Sequence, residues 1–333
     1  MERKQVIEQT LDKIRKVRVH PALISILKVI VAVGLIVALV LYIDVDALRK
    51  SLLHANPLYL IAGAVLVVAN TGLQFLRWRY LVRLIASEVS DKDIFSSLFI
   101  GFSAGFFTPG QVGEHGGRMV TLSSLPAVQV LAVSIIDKLY ILAITVIVGL
   151  IGAWLYFAIY LPQYWTPWLT AVVVLIVISF LIAILYPDNL KKILRVLLHR
   201  FKKYRAVSSF LFVKDVFHRR QARMLLVMTA LFYFVIVLQL YLFVLAFEPV
   251  SFGISALCTS NILFFKSVVL PISFSDVGIR ETTTIFFLSR AGVSAASAFN
   301  ASLCIFFVNT VFPSLLGSML IFRIKSAKER GRV

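Results

Sequence analysis

The chain has 333 residues, of which 60% are hydrophobic and 15% charged, with a formal net charge of +18. That hydrophobic share excludes a water-soluble domain of ordinary composition. A charge of this size raises nucleic acid as a partner, but the basic residues flank long apolar runs, so the membrane surface accounts for them and no nucleic-acid partner is expected. Cys258 and Cys304 both stand in apolar context without other ligating side chains, which argues against a disulfide framework, a metal centre or a bound cofactor.

In chain order, residues 1–21 form a basic segment carrying six Lys or Arg, followed by the apolar run Ala22 to Ile43. That run is too long for a signal-peptide core and lacks a small-residue cleavage site, so it is expected to stay as the first span, with Lys28 snorkelling to the inner surface. Further runs of spanning length are Pro57 to Phe75, Ala127 to Phe157, Thr166 to Tyr186, Arg223 to Phe247 and Ser294 to Phe322. Ile94 to Phe107 and Phe252 to Ile272 are interrupted by Gly, Pro, Ser or charge and read as discontinuous or re-entrant segments. Residues 187–222 alternate Leu, Val and Phe with Lys and Arg, the pattern of an amphipathic helix lying on anionic headgroups, and residues 323–333 form a basic tail. The predicted fold is an all-α polytopic membrane protein: one domain over residues 22–322, with about six full transmembrane helices and two re-entrant segments.

Basic residues fall at alternate span ends: six before Pro21, four in Arg77 to Lys92, eleven in Lys191 to Arg223 and five in Arg323 to Arg332. These ends are predicted to be cytoplasmic, as are both termini. The connection from Tyr156 to Thr166 has no Lys or Arg and is ringed by Tyr156, Tyr160, Tyr164, Trp165 and Trp168, as expected of an outer interface.

The two broken segments share a pattern. Pro109 is followed five residues on by Glu114 and nine on by Arg118, and Pro271 likewise by Asp276 and Arg280, so both read P-x4-[D/E]-x3-R. Three full spans separate them, which makes the repeat inverted, the arrangement by which transporters place a site near the bilayer midplane. Pro109, Gly110, Gly113, Gly116 and Gly117 are expected to break the first segment, and Pro271 and Gly278 the second, with Ser273 and Ser275 capping the helix that follows. Glu114 with Arg118, and Asp276 with Arg280, are then i,i+4 partners with the acid leading, and Glu281 adds a further carboxylate. An ionised residue at a helix centre costs about 2.5–3.5 kcal/mol on insertion scales, so several together mark a pathway. Arginine's planar fork and an adjacent helix N-terminus both suit a phosphate headgroup.

Asp137 and Lys138 are consecutive in the third span, so their side chains diverge by about 100° and each requires its own partner. Lys266 precedes the second turn, where it is a further candidate for headgroup contact. His115 stands alone and makes a poor metal ligand.

The RWRYLVR run at Arg77 to Arg83, the FFTPGQVGEHGGR turn, the Asp137-Lys138 pair and PISFSDVGIRE together resemble the lysylphosphatidylglycerol synthase transmembrane-region family, the flippase-type membrane domain that bacteria also use as a stand-alone protein. The resemblance runs from about Leu48 to Phe322. Phe274, Ser275 and Asp276 stand where the family more often has consecutive glycines. The resemblance implies a bacterial inner-membrane protein that moves a phospholipid or polyprenyl-phosphate-linked lipid between leaflets, without the aminoacyl-transferase domain and so not an enzyme. The competing expectation is a non-transporting subunit that anchors or regulates an envelope glycosyltransferase or lipid-modifying enzyme. No Ser-His-Asp set, Cys-His pair or nucleotide-binding glycine loop points to catalysis.

The charge pattern predicts that single cysteines at positions 51, 163 and 249, in a background lacking Cys258 and Cys304, react with an impermeant reagent outside the cell. A cysteine at position 209 is expected to stay unlabelled; its modification from outside reverses the assigned orientation.

Overall fold

A computed structural model describes residues 43, 45–108, 111–160, 162, 167–186, 217–268 and 278–330. The first predicted span up to Tyr42, the amphipathic segment up to Val216, and Pro109, Gly110, Pro271, Ser273, Ser275 and Asp276 lie outside those residues. Within them the chain is all-α: α1 (Val45–Leu53), α2 (Pro57–Ile85), α3 (Asp91–Phe106), α4 (Gly113–Thr121), α5 (Ala127–Tyr160), α6 (Pro167–Leu185), α7 (Arg219–Phe247), α8 (Phe252–Val268), α9 (Ile279–Arg290), α10 (Ala295–Phe306) and α11 (Phe312–Arg330). Among the described residues, four stretches are long and apolar enough to cross a membrane: Pro57–Ile85, Ala127–Tyr160, Arg219–Phe247 and Ala295–Phe322. The apolar helix α6 is shorter. The chain is an all-α polytopic membrane protein.

Local chemistry explains the element ends. Asn56 accepts from the Leu58 amide at 3.0 Å and Pro57 supplies the first helical residue of α2, where its missing N–H costs nothing. The helix then runs ten residues past Phe75, the end expected from hydropathy, and carries Arg77 and Trp78 inside the protein. Ser90 caps α3 through the Asp93 amide. The helix made of α10 and α11 is continuous but widens into one π-helical turn at Phe307–Val311, a distortion that recurs at functional sites.

α3 and α4 fold back on one another as a helical hairpin. Thr108 ties the ends together: its hydroxyl accepts from the Gly113 amide at 2.7 Å and donates to the Ala104 carbonyl at 3.0 Å. Here the structure corrects the sequence reading, because Gly113, Gly116 and Gly117 lie within α4 and do not form the turn. Gly113 and Gly117 instead let two backbones meet. A methyl group on Gly113 would stand 2.3 Å from the Ala104 carbonyl oxygen, and one on Gly117 2.8 Å from that of Ile100. Gly101 and Gly105 of α3 receive the Glu114 and Arg118 stems in return. α11 seats against the same hairpin, since a methyl on Gly317 would meet the Phe99 carbonyl at 1.9 Å.

The second hairpin pairs α8 with α9, and both pack within the bundle, against α5 and α10 respectively. Gly278, at φ 90°, starts α9 in a conformation that other residues rarely adopt. Among the described residues each hairpin has an apolar core, and a smaller cluster forms round Ile144, Tyr233 and Val237. One core gathers Trp78, Leu81, Ile94, Leu98, Val133 and Leu225 round the first hairpin; the other gathers Tyr156, Leu240, Val244, Ile262, Leu288 and Phe299 round the second. The outer faces expose Leu58, Ile61, Val65, Leu175, Ile178, Val227, Leu231, Leu315 and Met319, as lipid contact requires.

Gly113→Ala is expected to lower thermal stability in detergent by about 1–3 kcal/mol, the usual range for overpacking. Gly116→Ala, with nothing within 4 Å of the added methyl, is expected to be neutral or stabilising by up to about 1 kcal/mol through helix propensity. Equal behaviour of the two variants in a melting series would refute the packing role.

Candidate functional site

Charges in hydrocarbon need partners, and the first hairpin provides them as a chain of alternating sign. Asp137 of α5 binds the Arg77 guanidinium of α2, which also donates to the Asp137 carbonyl at 3.0 Å. Its other oxygen meets Arg118 of α4 at 3.3 Å. Arg118 pairs with Glu114 at 2.5 Å, and Glu114 with Lys138 at 2.6 Å. The consecutive Asp137 and Lys138 thus reach different partners, as their angular separation requires. Arg118 also donates to Ser134 at 3.3 Å and lies over the Trp78 ring at 4.2 Å, while Trp78 donates its indole N–H to Ser97 at 2.8 Å. His115 bonds the Ser134 hydroxyl at 2.7 Å.

Arg77 is the residue that sequence reasoning misplaced by grouping it with the inner flank. Arg77 and Arg79 are two positions apart, about 200° on a helix. Arg79 and Arg83 therefore face out and share Asp91 at 2.8 Å each, whereas Arg77 is buried at 1% exposure. The signal that points to it is the unmet need of Asp137 for a cation.

The second hairpin is built differently. Arg280 pairs with Glu281, its Nε at 3.1 Å from the carboxylate, reaches Ser302 at 3.3 Å, and lies 4.4 Å over the Phe306 ring. The other Glu281 oxygen accepts from the Gly278 amide at 2.7 Å and so caps α9, the task expected of Ser273 and Ser275. Asp276, the partner expected for Arg280, lies outside the described residues, and α9 begins at Ile279.

Both hairpins reach one cavity of about 250 Å³. Glu114 and Lys138 line it, as do Lys266 and Arg280, with Asn70, Gln74, Tyr233 and Asn309 among its neutral polar groups. Lys138 keeps 35% of its side chain exposed. Arg118 does not line the cavity: it is 1% exposed, and its terminal nitrogens are engaged by Glu114, Asp137 and Ser134. Gly113 and Gly117 likewise stand behind the wall, as packing residues.

These features define a multi-pass membrane protein in which two helical hairpins meet at a charged polar cavity. The chain belongs to the family of the lysylphosphatidylglycerol synthase TM region, whose profile matches residues 25–317. It is similar to the UPF0104 membrane protein MJ1595 of Methanocaldococcus jannaschii, with 24% identity over 336 aligned positions, covering 92% of this chain and 98% of the relative. No solved structure matches.

Asp137→Ala strips a partner from two buried arginines and is expected to cost about 3–5 kcal/mol. Asp91→Ala, which breaks the half-exposed pairs with Arg79 and Arg83, is expected to cost less than about 1 kcal/mol. Thermal melts of the two purified variants give the comparison, and equal losses would remove the case for a buried network.

Proposed function

We propose that the protein is a lipid translocase of the cytoplasmic membrane, with both termini inside, that passes a phosphate-bearing headgroup through the cavity between its hairpins. The observation that carries this reading is that one cavity is lined both by Lys138, which is paired to Glu114 of the first hairpin, and by Arg280 of the second. Under the charge-derived orientation the hairpins enter from opposite faces, so the site they share is reached from both leaflets in turn.

The residues divide into two roles. Lys138 and Arg280, with Lys266 beside them, contact the headgroup, while Arg77, Asp137, Arg118 and Glu114 hold Lys138 in place. Lys138 is the outermost member of its chain and turns from Glu114 to a phosphate without breaking an arginine pair. Arg280 offers a phosphate its remaining donors while Glu281 and Phe306 fix its plane. Glu281, and Asp276 outside the described residues, serve as counter-charges. The acyl chains stay in hydrocarbon, so only the headgroup needs a polar route.

Purified protein in liposomes tests this. Wild type is expected to exchange a phospholipid between leaflets, and Lys138→Gln and Arg280→Gln each to lower the rate per folded molecule at least about tenfold, as expected for losing one charge-assisted contact. Arg118→Gln is expected to act chiefly on the yield of folded protein. Near-normal exchange in both cavity variants overturns the assignment, and failure of wild type with every lipid, together with co-purification of an envelope glycosyltransferase, favours the subunit role.

A further inference from the structure

The neutral part of the cavity wall bears on which headgroup it takes, an inference that rests on the translocase reading above. Gln239 is buried in α7, and its amide nitrogen donates to the Gly63 carbonyl at 2.9 Å. A carbonyl only accepts, so the Gln239 oxygen is turned the other way, where it accepts from the Asn309 amide nitrogen at 2.6 Å. That in turn fixes the orientation of Asn309: its amide hydrogens face Gln239, and its carbonyl oxygen is left buried without a hydrogen-bond partner. Asn309 lies in the π-helical turn and lines the cavity. A backbone carbonyl on α2 thus fixes, through two carboxamides, a cavity-lining side chain whose closely covered oxygen is unpaired, in a wall whose carboxamides suit hydroxyl or N–H donors. Asn70, Gln74 and Tyr233 also line the cavity, the first two joined by a 2.8 Å bond.

The charged groups decide between hydroxyl and ammonium. Glu114 is the acid among the described lining residues, and one of its oxygens binds Arg118, the other Lys138. Behind it, Asp137 divides its oxygens between Arg77 and Arg118, and Glu281 between Arg280 and the Gly278 amide. Each oxygen of these three carboxylates already accepts from the protein, and the four described cations that meet them, Arg77, Arg118, Lys138 and Arg280, outnumber them, so the cluster is net positive and favours an anion over a cationic headgroup. The volume of about 250 Å³ lies just below the range of ordinary ligand pockets and suits one headgroup without its acyl chains.

We infer that the carried lipid has a phosphodiester headgroup bearing free hydroxyls, as in a glycerol, polyol or sugar, and that an aminoacylated, cationic headgroup is rejected. The lipid is therefore chemically unlike the lysyl ester that appears in the family's name.

The test uses full-length protein in liposomes carrying, in separate preparations, labelled phosphatidylinositol, phosphatidylglycerol, phosphatidic acid or lysylphosphatidylglycerol, with binding of short-chain versions measured in detergent. Phosphatidylinositol and phosphatidylglycerol are expected to exchange and bind at least about tenfold better than lysylphosphatidylglycerol. In Asn309→Leu the preference for phosphatidylinositol over phosphatidic acid is expected to fall about three- to tenfold, the effect of one hydrogen bond. Because that is a ratio between lipids, it is independent of how much of the variant folds. Equal or better handling of lysylphosphatidylglycerol, or an unchanged ratio in Asn309→Leu, overturns this inference while leaving the translocase reading intact. Soluble inositol phosphate binding more tightly than the lipid overturns the lipid source, and absence of both exchange and binding for every lipid overturns the translocase reading itself.

Discussion

Asp137 holds two arginines from two other elements, and most of the site's geometry follows from that. In water such an arrangement contributes little, but inside a membrane an ionised side chain without a partner is costly, so α2, α4 and α5 are constrained to bring Arg77, Arg118 and Asp137 together. Once Arg118 is fixed there, over Trp78 and beside Ser134, it fixes Glu114 one helical turn away. Glu114 then holds Lys138 at the cavity edge. The group that faces the cavity is positioned by a relay whose other end is buried among apolar side chains.

Electrostatics alone does not bring the first hairpin so close. Helices in lipid lack a strong hydrophobic drive to associate, and close approach relies on small residues. Gly101 and Gly105 on α3 face Gly113 and Gly117 on α4, and Gly317 lets α11 rest on the Phe99 carbonyl. This close packing shortens the reach required of the Glu114 and Arg118 side chains, which run along the glycine faces of α3. The same glycines that suggest a flexible turn in the sequence make a rigid seam in the fold.

The two hairpins share a place and differ in their bonds. In the first, the helix begins at Gly113, ahead of its acid, so Glu114 and Arg118 fall one turn apart. In the second, the helix begins at Ile279 and Arg280 takes the adjacent Glu281, which also caps the helix. Where each helix starts sets which acid within it reaches the arginine. What reaches the cavity differs too: Lys138 in place of Arg118 from the first network, Arg280 itself from the second.

Apolar runs and their lengths were enough to define an all-α membrane chain, because hydrocarbon leaves the backbone few alternatives to the helix. Apart from the extension of α2 past Phe75, the spanning helices described between Pro57 and Phe322 start and stop close to the hydropathy limits. The paired motifs likewise located the two breaks, since proline, glycine and charge in an apolar run are readable without any fold. What one-dimensional spacing does not contain is which side of a helix faces which neighbour. Only the packed structure turned Arg77 inward while Arg79 faces out, withdrew Arg118 behind the wall while Lys138 reaches past it, and ran the carboxamide relay from Gly63 to Asn309 across 176 and then 70 residues of sequence. Those contacts depend on helix rotation and close approach, which many distant residues set together and no local pattern records.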